Sequence, residues 1–377
     1  MKKLIFQVDN MLPRVQLLSK VITGKNTIAI LDYLRLIHEK GKLSIMGADG
    51  ETWLKIHVEG SEENNQDVDL CVDMRKFMQS LMGLSGKVVT LEIDCDSHLM
   101  QGKYDNGYFS LPFNDSGEYP APPADDTPKK IDIYAKNLLR AIGLTEFAVA
   151  NDELRPIMNG IHFDLTSEGM VCVASDGHRL VKYTDSTIKG DNETFSFNLA
   201  KKPSSLISSL LQKMDEYVTL KFNDNTVIVE TNWFRMQTRL IVGRYPNFNT
   251  VIPSGYSKKA VFAKNDVLSA LKRISPFGNF STELTIVEFG LNKMELTSED
   301  LDYSTKAQES VDCENNETTP MKIGLKGSFI SQSIQNVPCD KVMIEYEGQD
   351  KAIIVSPYTQ DEGSEYISIQ MPMRLND

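Results

Sequence analysis

One pattern recurs three times along the 377 residues, at a spacing of about 125, and a long internal repeat constrains a fold more than any single motif. Near the start, DNMLPRVQLLSKVI (9–22) precedes KLSIMGADGETWLKI (42–56). In the middle, YAKNLLRAIGLTEFAV (134–149) precedes GMVCVASDGHRLVKY (169–183). In the last third, AKNDVLSALKRISPF (263–277) precedes NKMELTSEDLDYSTKA (292–307). Each copy reads as a helix, a loop, a strand, a polar turn and a second strand. Asp49-Gly50 and Asp176-Gly177 mark equivalent turns, with Glu299-Asp300 in the third copy.

A second helix recurs in each copy. DMRKFMQSLMG (73–83) sets Met74, Phe77, Met78 and Leu81 on one face behind Asp73 as N-cap. PSSLISSLLQKM (203–214) carries Leu206, Ile207, Leu210, Leu211 and Met214. KGSFISQSIQNV (326–337) carries Phe329, Ile330 and Ile334, a weaker stripe. Between them KVVTLEIDC (87–95), YVTLKF (217–222), TVIVET (226–231) and KVMIEYE (341–347) alternate with the period of two of half-buried strands. SGEYPAPPADDTPKK (116–130) and GRYPNFNTVIPSGYSKK (243–259) read as extended connections. The expected fold is α+β: three similar domains over 1–122, 129–250 and 253–377, each with two helices and antiparallel sheet.

Composition, 41% hydrophobic and 24% charged, is that of a soluble globular chain. The opening MKKLIFQVDNML is too short and too broken by polar residues for a signal peptide, and no run of eighteen or so apolar residues occurs, so a cytoplasmic protein is expected. The five cysteines are scattered and never form a CxxC pair, and read as buried free thiols. Cys95 and His98 in DCDSH are half of a zinc pattern with no second half, so no metal or other cofactor is expected.

The net charge of −12 opposes a nucleic-acid partner only if the charge is evenly spread. It is not. Acids gather in loops such as 59–69, 298–302, 312–317 and 360–365. The helices carry Arg14, Lys20, Arg75 and Lys76, with Lys25 just beyond. Lys136, Arg140, Lys201, Lys202 and Lys213 follow in the second copy, and Lys264, Lys272, Arg273 and Lys326 in the third. One basic helix face is ordinary solvation, but six in equivalent positions suggest a shared surface for phosphates. No recognition helix, zinc finger or stacking platform points to base readout.

Ser175, Asp176 and His178 in VASDGHRLVKY (173–183) are the residue types of a hydrolase, yet they are nearly adjacent on one turn. A triad needs its members to converge from separate elements, and no G-x-S-x-G elbow surrounds Ser175. Asp176 reads instead as a cap on the turn amides, a role repeated by Asp49.

The string RPIMNGIHFDLTSEGMVCVASDGHRL (155–180), with GRYPNFNTVIP (243–253) and QMPMRL (370–375), closely resembles the bacterial DNA polymerase III β sliding clamps, and the threefold repeat carries that resemblance over the whole chain. It implies a non-enzymatic processivity factor: crescent-shaped subunits joined head to tail as a two-subunit ring, helices lining a hole for duplex DNA. The implied partners are a second copy, a clamp loader, and polymerases and repair proteins bearing a short hydrophobic peptide. The implied peptide pocket matches Met158, Ser175, Gly177, His178, Arg179 and Leu180, then Pro246 and Val251, then Ile369, Met371, Pro372, Met373 and Arg374. His178 and Arg179 are expected at its rim. Phe109 and Leu111 of YFSLPF (108–113) match the edge strand that meets the neighbour, near Phe277 and Phe280. Thr250 stands where many members carry arginine, Met158 where leucine is usual, and Asn376-Asp377 extend past the usual terminal leucine. A peptide scaffold that never encircles DNA is the alternative from another class.

Overall fold

In the computed structural model, residues 2–24, 26–59, 67–190, 194–315 and 317–375 are described. Lys25, Asn376 and Asp377 therefore lie outside the described residues. Among them are six α-helices: α1 (Val8–Leu18), α2 (Met74–Leu81), α3 (Ala135–Thr145), α4 (Lys201–Leu211), α5 (Lys264–Ile274) and α6 (Gly327–Gln335). Each follows directly on a six-residue strand: Lys2–Gln7, Val68–Asp73, Lys129–Tyr134, Phe195–Ala200, Lys258–Ala263 and Met321–Lys326. The threefold sequence repeat is thus a sixfold repeat of strand-into-helix units.

Periodicity explains the helices. α1 buries Val8, Met11, Val15 and Leu18, and α5 buries Val267, Ala270, Leu271 and Ile274, both at the three-and-four spacing of one face. In α2 the Asp73 carboxylate accepts the Lys76 amide at 2.8 Å, the expected N-cap. α6 departs from expectation: Ile330 and Ile334 are buried, while Phe329 is only half-buried and is used elsewhere.

The chain divides into two compact units, 1–139 with 205–240 and 140–204 with 241–377. The first holds a twelve-stranded antiparallel sheet. In it Thr52–Val58 pairs with Phe234–Arg239, setting Trp53 opposite Gln237, so the sheet runs on from the first repeat into the second. The second unit holds an eight-stranded sheet in which Arg179–Asp185 pairs with Ser364–Gln370, Leu180 opposite Ile369, joining the second repeat to the third. A four-stranded sheet orders Thr305–Asp312, Lys293–Asp300, Leu284–Gly290 and Met321–Lys326. Sheet crossing from repeat to repeat is absent from the sequence expectation, which joins the repeats by linkers alone.

The turns of the first two repeats are capped as expected. Asp49 Oδ1 accepts the Glu51 and Thr52 amides at 3.0 and 2.7 Å, and Asp176 Oδ1 those of His178 and Arg179 at 2.9 and 3.0 Å. In the third copy the cap is Asp300, not Glu299, accepting from Asp302 and Tyr303 at 3.0 and 3.3 Å. Of the five thiols, Cys71, Cys172 and Cys313 are buried, but Cys95 is exposed and Cys339 half-buried, since both lie on turns. Burial pushes the Cys71 thiol up to about 12 and Cys313 up to about 11. Among the described residues no helix is long and apolar enough to cross a membrane.

Candidate partner-binding pocket

The pairing of Arg179–Asp185 with Ser364–Gln370 builds a cavity at the junction of the second and third repeats. Beyond the ladder, the Met371 amide donates to the His178 carbonyl at 2.8 Å, which brings the end of the chain to the DGH turn. Gly177 makes that turn possible. Its φ is +88°, and a Cβ there would stand 2.9 Å from the Arg155 guanidinium.

The R-P-I-M-N-G stretch forms the opposite wall. Pro156–Met158 is a single 3-10 turn, and the Asn159 side chain locks it: Oδ1 accepts the Asp152 amide at 2.8 Å and Nδ2 donates to the Asp152 carbonyl at 2.9 Å. At Gly160 a Cβ would lie 2.4 Å from the Leu199 carbonyl, so only glycine lets these strands approach. The third wall is the connection through Tyr245 and Pro246, whose backbone is anchored where Asn198 Nδ2 donates to the Gly243 carbonyl at 3.1 Å.

The enclosed volume is about 380 Å³, within the range of small-ligand and peptide side-chain pockets. Met158, Ser175, Gly177, His178, Arg179, Leu180, Pro246, Val251, Ile369 and Met371 all line it, as the sequence reading anticipates. Below lies an apolar cluster of Val173, Leu180, Tyr245, Ala352, Ile354 and Ile369. His162 stacks on Tyr245 at 4.7 Å, with Nδ1 2.8 Å from Asn198 Oδ1. Burial, against the opposing effects of Asn198 and Asp164, holds the His162 pKa below its ordinary value; burial pushes the Tyr245 phenol up to about 12. Both are neutral at pH 7, so the floor is uncharged.

Pro372, Met373 and Arg374 are not among the lining residues, because the chain leaves the junction after Met371: the Met373 amide donates to the Gly324 carbonyl at 2.7 Å, beside another sheet. Arg179 is not a rim residue. Its side chain is 8% exposed; Nε donates to Asp176 Oδ2 at 2.9 Å, Nη1 to Gln332 at 2.5 Å and Nη2 to the Phe147 carbonyl at 2.7 Å, with the guanidinium 4.2 Å from the Phe329 ring centre. It clasps the second repeat to α6. The sequence reading misses Arg155, Tyr245, Asn247 and Phe248 as lining residues. Tyr245 and Phe248 stand inside the quoted GRYPNFN string, and their aromatic character was the available signal.

Ser175, Asp176 and His178 are not arranged as a catalytic triad. Ser175 is buried, its hydroxyl donating to the Arg179 carbonyl at 2.7 Å and accepting the Gly177 amide at 3.1 Å, and Asp176 serves the turn amides and Arg179. Among the described residues no group of three potential metal ligands converges.

The helix cations differ in availability. Lys20, Arg75, Lys76, Lys136, Lys201, Lys202, Lys213, Lys272 and Arg273 are exposed. Several are nevertheless engaged: Lys136 lies 2.6 Å from Asp215, Arg273 forks onto Glu309, and Lys20 donates to Ser209 at 2.7 Å. Arg14 donates to the His57 and Asn10 carbonyls at 2.9 and 2.6 Å, Arg140 pairs with Asp361, and Lys264 donates to the Val337 carbonyl at 2.8 Å. Lys326 is half-buried over Phe329 at 4.6 Å. These last four hold the fold together as much as they present charge.

Of the interface residues, Phe280 is 94% and Phe277 43% exposed, whereas Leu111 is buried at 7%. The Phe109 ring covers Gly102, whose Cβ would meet it at 2.2 Å. Alternation turns both 109 and 111 inward, so the strand Gly107–Asp115 instead presents Tyr108, 67% exposed, and its main-chain edge. Among the described residues, 107–112 have a ladder partner only in Leu99–Tyr104; Val68–Asp73 reaches no further than Phe113.

Repeated strand-into-helix units, continuous antiparallel sheets and a junction cavity over an apolar floor are the features of a binding scaffold. Comparison with known proteins places it. The N-terminal, central and C-terminal domains of the DNA polymerase III beta subunit match residues 2–123, 132–247 and 249–374. A beta sliding clamp of Staphylococcus epidermidis is 24% identical over 364 residues, 94% of each chain, and one of Vibrio cholerae is 24% identical over 376 residues, 99% of this chain and 100% of its own. Among solved structures, the beta subunit of Pseudomonas aeruginosa aligns with a TM-score of 0.91 at 21% identity, covering 99% of this chain and 100% of its own. That of Thermotoga maritima aligns at 0.90 and 20% identity, with full coverage of both. A P. aeruginosa sliding clamp bound to griselimycin aligns at 0.92 and 21% identity, over 99% of this chain and 100% of its own. The chain belongs to the DNA polymerase III beta subunit family, the sliding clamps, non-catalytic processivity subunits of the replicative polymerase.

Proposed function

We propose that two copies of this chain close head to tail into a ring around duplex DNA, and that the junction cavity tethers polymerases, repair proteins and the clamp loader through short peptides bearing leucine or phenylalanine. The observation that carries the tether is the cavity itself: about 380 Å³ over an uncharged, aromatic and aliphatic floor. Apolar side chains of an extended peptide suit such a floor, and Met158 and Met371 can adapt to varied shapes.

Closure uses two sheet edges. The open main-chain edge of residues 107–112 would pair with the outer strand Thr305–Asp312 of the partner, with Phe277 and Phe280 covered alongside. The exposed cations of the helices, Lys76 and Lys272 foremost, would meet phosphates weakly enough to allow sliding. The domains then run over 1–122, 129–250 and 253–377, and action on DNA belongs to the cytoplasm.

Sedimentation equilibrium at micromolar concentration tests closure first: twice the subunit mass is expected. Protein loaded on closed circular DNA should be retained and should be lost when that DNA is linearised. Equal retention on both forms would leave a peptide scaffold and remove the ring.

A further inference from the structure

The first junction, where Thr52–Val58 pairs with Phe234–Arg239, repeats the backbone hydrogen-bond pattern of the second. The Arg239 amide donates to the Glu51 carbonyl at 2.9 Å, as the Met371 amide does to His178 at 2.8 Å. Asp49 caps its turn as Asp176 does, and Gly50 (φ +91°) matches Gly177 (φ +88°). A short 3-10 turn with one buried apolar residue precedes a strand in both repeats: Leu31 in Ala29–Asp32 and Met158 in Pro156–Met158. Tyr119-Pro120 follows the first repeat as Tyr245-Pro246 follows the second.

The side chains differ at several positions, and the difference in bulk is greatest at one. Opposite the last strand, the second junction has Leu180 facing Ile369, and the first has Trp53 facing Gln237. The Trp53 side chain is buried at 5% exposure in a cluster with Leu31, Met46, Ala48, Cys71 and Tyr119, and its Nε1 donates to the Pro120 carbonyl at 3.1 Å. The indole therefore both fills the space beside the turn and fastens the Tyr-Pro connection over it.

We propose that the first junction is a second copy of the peptide pocket held shut from within, the Trp53 indole standing where a partner's apolar side chain enters at the second junction. Each chain then offers one open pocket, and every Leu/Phe-bearing partner must compete for it. A ring carries two such sites, not four. The inference rests on the reading of the second-junction cavity as a peptide site.

The test is calorimetric titration of the full-length protein with an acetylated hexapeptide carrying Leu and Phe. Wild type should bind one peptide per chain. Trp53→Leu, which installs the open junction's own residue type, should bind two. One per chain in a Trp53→Leu protein with native circular dichroism would overturn this inference and leave the tether intact; none in wild type would remove both. The reciprocal variant Leu180→Trp places the plug in the open site, and guards against a Trp53→Leu protein that fails to fold. It should weaken peptide binding by at least about tenfold, as expected when the group filling a pocket leaves no room for an anchor. Affinity within about twofold of wild type would equally overturn the inference.

Discussion

Arg179→Ala should loosen the junction of the second and third repeats far more than a surface substitution would. The guanidinium is 8% exposed, and its ion pair with Asp176, itself 16% exposed, is reinforced by Gln332 and the Phe147 carbonyl and by the face of Phe329. Removing one member of a buried pair costs about 3–5 kcal/mol. Asp176 keeps its two backbone donors after the substitution, which favours the lower end, about 3 kcal/mol. At about 1.4 kcal/mol per decade that is a hundredfold change in a local opening equilibrium. Amide hydrogen exchange should report it as about hundredfold faster exchange in α6 and in Ser364–Gln370, with little change in Lys2–Gln7. Arg179→Lys should recover only part, since an ammonium cannot fork between Asp176 and Gln332 while contacting Phe147. Exchange within about threefold of wild type in α6 would refute the clasp, because it bounds the loss below about 1 kcal/mol.

Three further outcomes follow from the same geometry. Burial holds the His162 pKa below its ordinary value, so the folded protein binds fewer protons there; its contribution to stability is full above about pH 6.5 and is lost as pH falls through the folded pKa. Thermal stability should therefore fall as pH drops below about 6.5, and His162→Gln should flatten that dependence; an unchanged slope would assign it to other groups. Ser175→Ala should cost about 1–2 kcal/mol through the turn hydrogen bonds and leave ester hydrolysis at background, whereas a measurable hydrolysis lost in the variant would restore the catalytic reading. Phe280→Asp, at a 94% exposed position, should leave thermal stability within about 0.5 kcal/mol and shift sedimentation toward the single-chain mass, and a persistent dimer would place the interface elsewhere.

What could be read from sequence divides along a physical line. The helix faces, the strand alternation and the Asp-capped turns depend on residues close together in the chain, and Asp73, Asp49 and Asp176 perform locally what their residue types allow. The joining of repeats does not. Trp53 lies opposite Gln237, and Leu180 opposite Ile369, through main-chain hydrogen bonds that carry no side-chain signature. The burial of Arg179 is invisible for the same reason: its cover comes from Phe147 and Phe329, and its third partner from Gln332. From sequence a charged residue beside a polar turn belongs on a rim.

The charge pattern shows where the two kinds of information meet. Sequence places lysines and arginines on the helices and acids mainly in the loops, yet folding sets acids against those helices: Asp215 on Lys136, Asp361 on Arg140, Glu309 on Arg273. A phosphate approaching these cations has to displace or share a carboxylate, which makes each contact weaker than an unpaired cation would give. For a protein that binds DNA by position and specificity that would be a defect. For one that holds DNA by enclosure it is an advantage, since a strong contact at any point would stop the ring from moving. On the proposed ring the paired cations and the closure are two halves of one requirement: retention comes from topology, so the surface facing the duplex is free to bind it poorly.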